Sequence, residues 1–390
     1  MQNLLSISGY LALKEIWRNR GRFLLVSLVI ALITLLVLFI AALGEGLGNG
    51  NREYISKLDG ELIVYQAKVD NLIAASRLSR DRLAAIKRVD GVADAGLLGT
   101  SSATLVLPAD VEPLKVAILG VEPGHIGEPL VLEGQQLSTG LADEVLIDSK
   151  TAYRSGLAAG DSLTLRTTQG TRDDFYTLRI VGVTDSQQYA LQPTVFLPFN
   201  TWDRVRPKSE AEVNNPNPVA NVILVKLSDP ERVSETRERI QSQVSNVEAA
   251  TLKEAIQALP GYTAQQSTLN TQGGFTLFIG ILVVGGFFQI QILQKVAQIG
   301  VLKAIGAANP VVAWASILQI SVVTIIGVAI GGLLALLFSF TFPPTVPIVF
   351  NGTTSALALV ALLLIGPLSG LVSIRYAVRI EPLKALGLSS

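Results

Sequence analysis

Long apolar runs without charges dominate the hydrophobic pattern, and they lie near the two ends of the chain. The first, FLLVSLVIALITLLVLFIAAL, has 21 residues. At about 1.5 Å per helical residue it can cross a hydrocarbon core of about 30 Å. Three similar runs follow towards the C-terminus. The sequence therefore predicts four transmembrane helices, at 23–43, 275–293, 311–340 and 356–374.

The first apolar run has a second interpretation, because Ala42-Leu43-Gly44 places small residues at the spacing of a signal-peptide cleavage site. A signal peptide, however, has an apolar core of about 7–15 residues. Here 22 residues precede a longer run. A retained membrane anchor is the better interpretation.

The intervening segment 44–274 has a different pattern. Short runs rich in β-branched residues alternate with turn signals such as Asp59-Gly60 and Gly160-Asp161, which is typical of strands. Two amphipathic helical stretches are expected, Ser79–Val89 and Pro230–Val244. We expect an extracytoplasmic α+β domain with an irregular NNPNP loop at 214–218. Its predicted strands are 61–65, 115–121, 144–147, 176–183 and 221–227.

Basic residues flank only one side of the predicted helices, and the short loop 341–355 on the other side has no charge. Lys and Arg accumulate on the cytoplasmic side of membrane proteins. Both termini, the tail 375–390 and the loop 294–310 are therefore predicted to be cytoplasmic, in a multi-pass plasma-membrane protein. The basic positions are Lys14, Arg18, Arg20, Arg22, Lys295, Lys303, Arg375, Arg379 and Lys384.

The N-terminal segment 1–22 places Lys14, Arg18 and Arg22 at intervals of four among apolar residues. This spacing predicts an amphipathic helix in the cytoplasmic membrane interface, with Trp17 at the boundary. A basic flank that stops translocation explains the charges equally well. Either structure would anchor the first membrane helix.

Glycine pairs four residues apart occur at 327–331 and 366–370 within the predicted spans. Such pairs allow two helix backbones to approach closely. Glycine is also common in membrane helices that make no such contact, so both interpretations stay open at the level of the sequence.

Composition excludes several chemistries. The chain has no Cys and one His, which excludes disulfides, Cys-ligated zinc, iron–sulfur clusters, thiol nucleophiles and multi-His metal sites. Its net charge is zero, which argues against a nucleic-acid partner. Charged residues make up 16%, below the roughly 25% of soluble domains, which points to a lipid bilayer. We expect no catalytic residues and no metal.

The chain also lacks the motifs of an energy source. No G-x-x-x-x-G-K-[ST] sequence is present, so ATP is not held in a P-loop. The predicted spans contain no charged residue that would mark a proton relay. The glycine-rich segment Gly44–Gly50 (GEGLGNG) has the wrong spacing for a nucleotide-binding turn, and we interpret it as a flexible exit from the bilayer.

The cytoplasmic loop 294–310 has helical spacing from Val296 to Ala307, and Gly306 and Pro310 supply a stop. A short helix between two membrane helices is suited to receive force from a soluble partner. A plain helical connection would have the same pattern.

Together these features resemble the MacB/FtsX-type ABC transporter permeases. The architecture of one anchor helix, a large outer domain and three further helices resembles theirs. The loop sequence Q-K-x-x-Q-I-G-x-L-K-A-I-G-A at 294–307 and the tail E-P-L-K-A-L-G at 381–387 are similar to family motifs. The runs LKEI at 13–16 and G-Y-x-A-x-Q at 261–266 are most similar to the haem-efflux (HrtB-like) branch.

The resemblance implies a homodimer that pairs with a separate ATPase subunit, so ATP would be bound by the partner and the permease itself would be no enzyme. Closure of the ATPases would push on the 294–307 helix, move the membrane helices and reshape the outer domain, a mechanism called mechanotransmission. The ATPase-coupling residues implied by the loop motif are Lys295, Gln298, Gly300, Lys303, Ala304, Ile305 and Gly306.

The haem-efflux branch implies an amphipathic, haem-like substrate taken laterally from the bilayer, with Glu45, Tyr189 and Tyr262 lining the site. Haem would be cargo, and no resident cofactor is expected. This chain has Ala190-Leu191 after Tyr189, where some haem relatives have a polar turn with His. Haem ligation would then rely on Tyr or Glu.

Other functions fit the same architecture. One is export of a lipid, lipoprotein or antimicrobial peptide by a MacB-like tripartite pump with a periplasmic adaptor. Another is an FtsX-like permease that transports nothing and regulates an outer hydrolase. A membrane-anchored enzyme is disfavoured, because the outer segment contains no catalytic constellation.

Overall fold

The computed structural model describes residues 2–108, 112–138, 142–214, 219–341, 346 and 348–378. The chain groups into two compact units. A membrane unit combines Met1–Leu47 with Gln266–Ser390, and an outer unit comprises Gly48–Gln265. Residues 215–218 of the predicted NNPNP loop and the tail motif at 381–387 lie outside the described residues.

The helices have the following bounds: α1 Gln2–Arg18, α2 Arg20–Ser56, α3 Arg80–Ile86, α4 Ser149–Ser155, α5 Phe199–Val205, α6 Glu210–Asn214, α7 Val233–Gln243, α8 Leu252–Gln257, α9 Tyr262–Gln294, α10 Val296–Ala304, α11 Asn309–Ser339 and α12 Gly352–Val378. The strands are β1 Leu62–Gln66, β2 Leu78–Ser79, β3 Val92–Val106, β4 Leu114–Val121, β5 Val131–Gly134, β6 Glu144–Asp148, β7 Ser162–Gln169, β8 Arg172–Thr184, β9 Thr194–Pro198, β10 Val219–Ala220, β11 Val222–Leu227 and β12 Val247–Thr251.

Four helices of the described residues, α2, α9, α11 and α12, are long and apolar enough to cross a membrane. Each covers one predicted apolar run to within one residue. The predicted fold class is therefore confirmed, with one membrane helix before the inserted α+β domain and three after it. The N-terminal helix α1 packs against α11, and its Trp17 is exposed as expected of a residue at a membrane boundary.

The glycine-rich segment Gly44–Gly50 is helical, so the predicted flexible exit is wrong. Helix α2 continues without a break from Arg20 to Ser56. Close side chains from other segments explain why glycine occupies two of these positions. A Cβ on Gly44 would lie 3.1 Å from Leu269 Cδ1, and one on Gly50 would lie 2.8 Å from Leu191 Cδ2. Packing contacts thus stabilise a helix that glycine alone disfavours.

Both glycine pairs, for which the sequence left two interpretations open, lie at close contacts between helices. A Cβ on Gly331 would lie 2.5 Å from the carbonyl oxygen of Ala31, and a Cβ on Gly327 would also collide with α2. Gly366 and Gly370 of α12 face side chains of α11, those of Thr324 and Ile320 respectively. Only glycine allows the backbones to approach this closely.

The outer unit is built on a mixed sheet in the order β12-β1-β11-β3-β4-β9-β6-β8-β5, with β7 paired to β3 and β8. Most neighbours are antiparallel, whereas β4–β9 and β6–β8 are parallel. Along β1, Leu62 and Val64 belong to one hydrophobic cluster and Ile63 and Tyr65 to another. Strands β1, β11, β4, β9 and β6 are thus buried on both faces, which explains their continuous apolar runs.

Candidate functional site

The turn that carries Tyr189 is hydrogen-bonded to the outer end of α2. The amide of Leu191 donates to the carbonyl of Gly50 at 2.8 Å, and the amide of Tyr54 donates to the carbonyl of Gln188 at 3.1 Å. Gly50 and Tyr54 are four residues apart, the spacing at which a carbonyl and an amide pair within an α-helix. The turn is therefore bonded to the carbonyl of the first residue and to the amide of the second. We call this arrangement the α2 clamp.

Side chains strengthen the α2 clamp. The carboxylate of Glu53 accepts hydrogen bonds from Ser186 Oγ at 2.9 Å and from the amide of Gln188 at 3.2 Å. One turn later on the chain, Lys57 Nζ lies 2.7 Å from Asp185 Oδ2. This ion pair, together with a hydrogen bond from the Ser186 amide, holds the pKa of Asp185 below its usual value against a smaller opposing effect of burial. A displacement of this part of α2 would therefore displace the turn.

Tyr189 itself is half-buried and neutral at physiological pH. Burial raises the pKa of its phenol, and a hydrogen bond with the Thr100 side chain lowers it only in part. Its ring meets that of Tyr54 edge-on, with 6.5 Å between centroids. A neutral phenol is a hydrogen-bonding and stacking group rather than an anionic iron ligand.

The two residues after Tyr189 have strained backbones. Ala190 has φ +50° and Leu191 has φ +62°, both in the left-handed region. Such conformations cost on the order of 1–3 kcal/mol each and persist where surrounding contacts enforce them. Here the enforcing contacts are those of the α2 clamp. Ala190 and Leu191, which replace the polar turn of some haem relatives, thus lie in a constrained turn.

A cavity of about 400 Å³ opens beside this turn within the outer unit. Apolar side chains make most of its wall, and a few hydroxyl and amide groups interrupt them. This combination is typical of a site for a small amphipathic ligand. Lining residues include Asn51, Ile73, Thr100, Ser102, Tyr189, Ala190 and Leu259.

Tyr262 and Glu45 have other surroundings. Tyr262 begins α9, and its phenol oxygen accepts a hydrogen bond from Arg52 Nη1 at 3.0 Å, which ties the start of α9 to α2. Glu45 lies in the membrane unit, where it accepts from Asn351 Nδ2 at 3.3 Å. Among the described residues, neither lines the cavity beside Tyr189. Their role in substrate binding stays a prediction.

The predicted coupling helix is present as α10, and its start is fixed by an ion pair. Lys295, the residue before α10, pairs with Glu15 of α1. The same carboxylate accepts from Gln319 Nε2 of α11 at 2.5 Å. Glu15 thus links α1, α10 and α11, and Gln298 lines a cavity beside this link.

The other end of α10 is fixed differently. Lys303 Nζ donates to the carbonyl of Val378 at the end of α12, at 2.6 Å. Gly306 then takes φ +103°, which ends the helix as the sequence predicted. Gly300 is buried, whereas Ile305 is 79% exposed next to the exposed Ala304. The helix therefore exposes an apolar side chain at its C-terminal end, while the Lys295–Glu15 ion pair fixes its N-terminal end.

Sequence reasoning assigned no role to Glu15, Gln319 or Arg52, which the structure places at these junctions. Two of them, Glu15 and Gln319, gave a weak local signal. Glu15 is a carboxylate within a basic segment, and Gln319 is an amide within an apolar span. Their partners are about 200 to 300 residues away in the chain, so no local pattern could identify them.

Comparison with known proteins agrees with this architecture. Residues 23–243 match the family model of the MacB-like periplasmic core domain, and residues 271–382 match that of the FtsX-like permease C-terminal region. The chain belongs to the MacB/FtsX-type ABC transporter permeases. It is thus a membrane permease with an extracytoplasmic segment, and membership implies an ATPase partner.

Three relatives illustrate the likeness. A hemin transport system permease named HrtB from Staphylococcus epidermidis is 25% identical over 97% of this chain and 99% of its own. A permease of the same name from Staphylococcus haemolyticus is 23% identical, again over 97% of this chain and 99% of its own. An uncharacterized ABC transporter permease from Mycobacterium tuberculosis is 25% identical over 97% of this chain and 99% of its own.

Proposed function

We propose that this chain is the permease of an ABC exporter that extrudes an amphipathic, haem-like molecule from the membrane by mechanotransmission. ATP hydrolysis takes place in the partner ATPase, and the permease has no catalytic site. The permease acts as a homodimer in the plasma membrane with both termini in the cytoplasm. A periplasmic adaptor is a further candidate partner.

The α2 clamp is the observation that carries this proposal. Helix α2 is continuous from Arg20 to Ser56, and its outer end is bonded to the turn of Tyr189. That turn lines the 400 Å³ cavity. A shift of the helix along or about its axis therefore changes the shape of the cavity without any substrate passing through a cytoplasmic channel.

Force from the ATPase enters the permease through the coupling helix α10. Because α10 is bonded to α1 and α11 through Glu15 and to α12 through Lys303, a push on α10 moves several helices together. The exposed Ile305 offers an apolar contact for an ATPase surface. Movement of the membrane helices and movement of the cavity thus have a continuous physical connection through α2.

The substrate class rests on the cavity and on the relatives named for hemin transport. Haem has a flat apolar ring and two carboxylates, and the cavity has apolar walls with scattered hydroxyl and amide groups. Because Tyr189 is a neutral phenol, we expect it to hold the ligand by stacking and hydrogen bonding. Export is the expected direction, since the cavity belongs to the extracytoplasmic unit.

A haemin titration of the purified permease, followed in the Soret region, tests the substrate. We expect a saturable Soret shift that weakens in Tyr189→Phe and in Tyr262→Phe. The matched control is Tyr153→Phe, which removes an exposed phenol of α4. It should titrate as the unaltered protein does.

A flat titration would overturn haem as the substrate and favour lipids, lipoproteins or peptides. A shift equal in all four proteins would place the haem site away from both tyrosines. Reconstitution with the ATPase tests the exporter itself. Haemin-stimulated ATP hydrolysis and outward haemin movement are expected, whereas no functional association with an ATPase would contradict the proposal.

A further inference from the structure

A second cavity, of about 440 Å³, lies within the membrane unit at its cytoplasmic end in the orientation proposed above. It is enclosed by α1, α9, α10 and α11, and it is separate from the cavity of the outer unit. Polar and apolar side chains share its wall. The polar lining includes Lys14, Arg18, Gln291, Gln298, Ser316 and Gln319.

The cavity has an excess of positive charge. Its charged lining residues are Lys14, Arg18 and Lys295 against the single carboxylate of Glu15. That carboxylate is already engaged by Lys295 and Gln319. With Lys295 and Glu15 paired, the charges of Lys14 and Arg18 remain in excess in the wall, so a bound anion is favoured.

Gln291 supplies a second, independent observation. Its side chain is only 3% exposed. Its Oε1 accepts from Lys295 Nζ at 3.3 Å, but its Nε2 has no hydrogen-bond partner among the described residues. Buried polar atoms are nearly always paired, because an unpaired donor has lost its bonds to water. An amide donor held in this way in a cationic cavity matches a ligand with acceptor oxygens.

We propose that this cavity binds the phosphate headgroup of an anionic phospholipid from the cytoplasmic leaflet. The amide of Gln291 and the cations of Lys14 and Arg18 complement phosphodiester oxygens. The apolar part of the wall, which includes Ile299 and Leu302, contacts the glycerol and the first acyl carbons. A free phosphate ion would leave that wall uncovered.

The bound lipid would join the interfacial helix to the coupling helix. The cavity wall comes from α1 and α10 as well as from α11, and the Glu15–Lys295 ion pair lies at its edge. A lipid in this place bridges the element that receives force and the elements that carry it. The anionic lipid content of the membrane would then tune the coupling.

Native mass spectrometry of the purified full-length permease tests the proposal with phosphatidylglycerol, phosphatidylcholine and inorganic phosphate as probes. We expect saturable binding of phosphatidylglycerol, about tenfold tighter than that of the zwitterionic lipid. Arg18→Gln and Gln291→Leu should each weaken it by about tenfold, the equivalent of one charge-assisted hydrogen bond. The matched control is Arg20→Gln, an exposed cation two residues away that does not line the cavity.

Equal retention of both lipids, or undiminished binding by Arg18→Gln, would overturn the proposal. Displacement of the lipid by excess inorganic phosphate would identify a free phosphate site instead. Arg18 is exposed, so its variant keeps the test valid if Gln291→Leu fails to fold. Binding is measured without ATPase or haemin, and a failure of the export proposal would therefore leave this result unaffected.

Discussion

At the scale of single residues, Asp94 and His125 form a pair that the sequence did not indicate. His125 lies in an exposed turn as its Pro-Gly neighbours suggest, but its Nδ1 is 2.9 Å from Asp94 Oδ1. The second carboxylate oxygen accepts from the amide of Ile126 at 2.9 Å. Burial works to raise the pKa of Asp94, and the hydrogen bonds from Ile126 and His125 together outweigh it, so that this pKa lies below its usual value.

This pair predicts a pH dependence of stability. Because the pKa of Asp94 is lowered by folding, its contribution is present above the unfolded pKa of about 3.9 and is lost as the pH falls through the folded value. We expect Asp94→Asn to lower the free energy of unfolding by about 1–2 kcal/mol at neutral pH. Thermal unfolding of the full-length protein in detergent measures the difference, which should shrink in acid. Glu112→Gln, at an exposed carboxylate, is the control, and a difference independent of pH would contradict the assignment.

At the scale of elements, the contact between α2 and α11 depends on one face of glycines. Gly331 faces the carbonyl of Ala31, whereas its neighbour Gly332 has no atom within 4 Å of an added Cβ. The two glycines are adjacent in the sequence and chemically identical. Only their direction on the helix distinguishes them.

Alanine substitution at these two positions should therefore have opposite results. We expect Gly331→Ala to destabilise the protein by about 1–3 kcal/mol, because the collision must push the helices apart. Gly332→Ala should be neutral or stabilising by up to about 1 kcal/mol through helix propensity. Thermal unfolding in one detergent measures both. Equal shifts in the two variants would show that the helix contact does not control stability.

The proposed coupling role of α10 can be tested at the exposed end of that helix. Ile305 is 79% exposed at the end of α10, so Ile305→Asp should leave folding and membrane insertion intact. A charge at an apolar contact should nevertheless disrupt docking of the ATPase. We expect haemin-stimulated ATP hydrolysis and export to fall to near the background level in reconstituted vesicles. Leu130→Asp, at an equally exposed leucine (80%) of the outer unit, is the matched control. Unaltered export by Ile305→Asp would remove α10 as the coupling element.

At the scale of the whole molecule, the topology can be tested directly because the chain has no Cys. A single introduced Cys is then the only thiol. We expect Leu130→Cys to react with a membrane-impermeant maleimide on intact spheroplasts, and Ile305→Cys to react only after permeabilisation. The unaltered protein should give no signal. Labelling of Ile305→Cys from outside would reverse the proposed orientation.

Local patterns predicted the elements that are governed by local physics. The membrane helices follow from apolar length, because the bilayer requires every backbone group to be paired within the helix. The end of α10 follows from Gly306, because its φ of +103° favours glycine. The α+β character of the outer segment follows from short β-branched runs between turns.

Contacts between distant residues decided the rest. Glycines at 44–50 predicted a flexible segment, yet packing against Leu269 and Leu191 made it part of α2. The α2 clamp and the link through Glu15 each join residues more than a hundred positions apart. The sequence by itself determined that this is a four-helix membrane permease with a short helix between its second and third membrane helices, since hydrophobic length and helical period are local properties. Only the tertiary structure decided which side chains meet, because that depends on packing between segments that no local pattern relates.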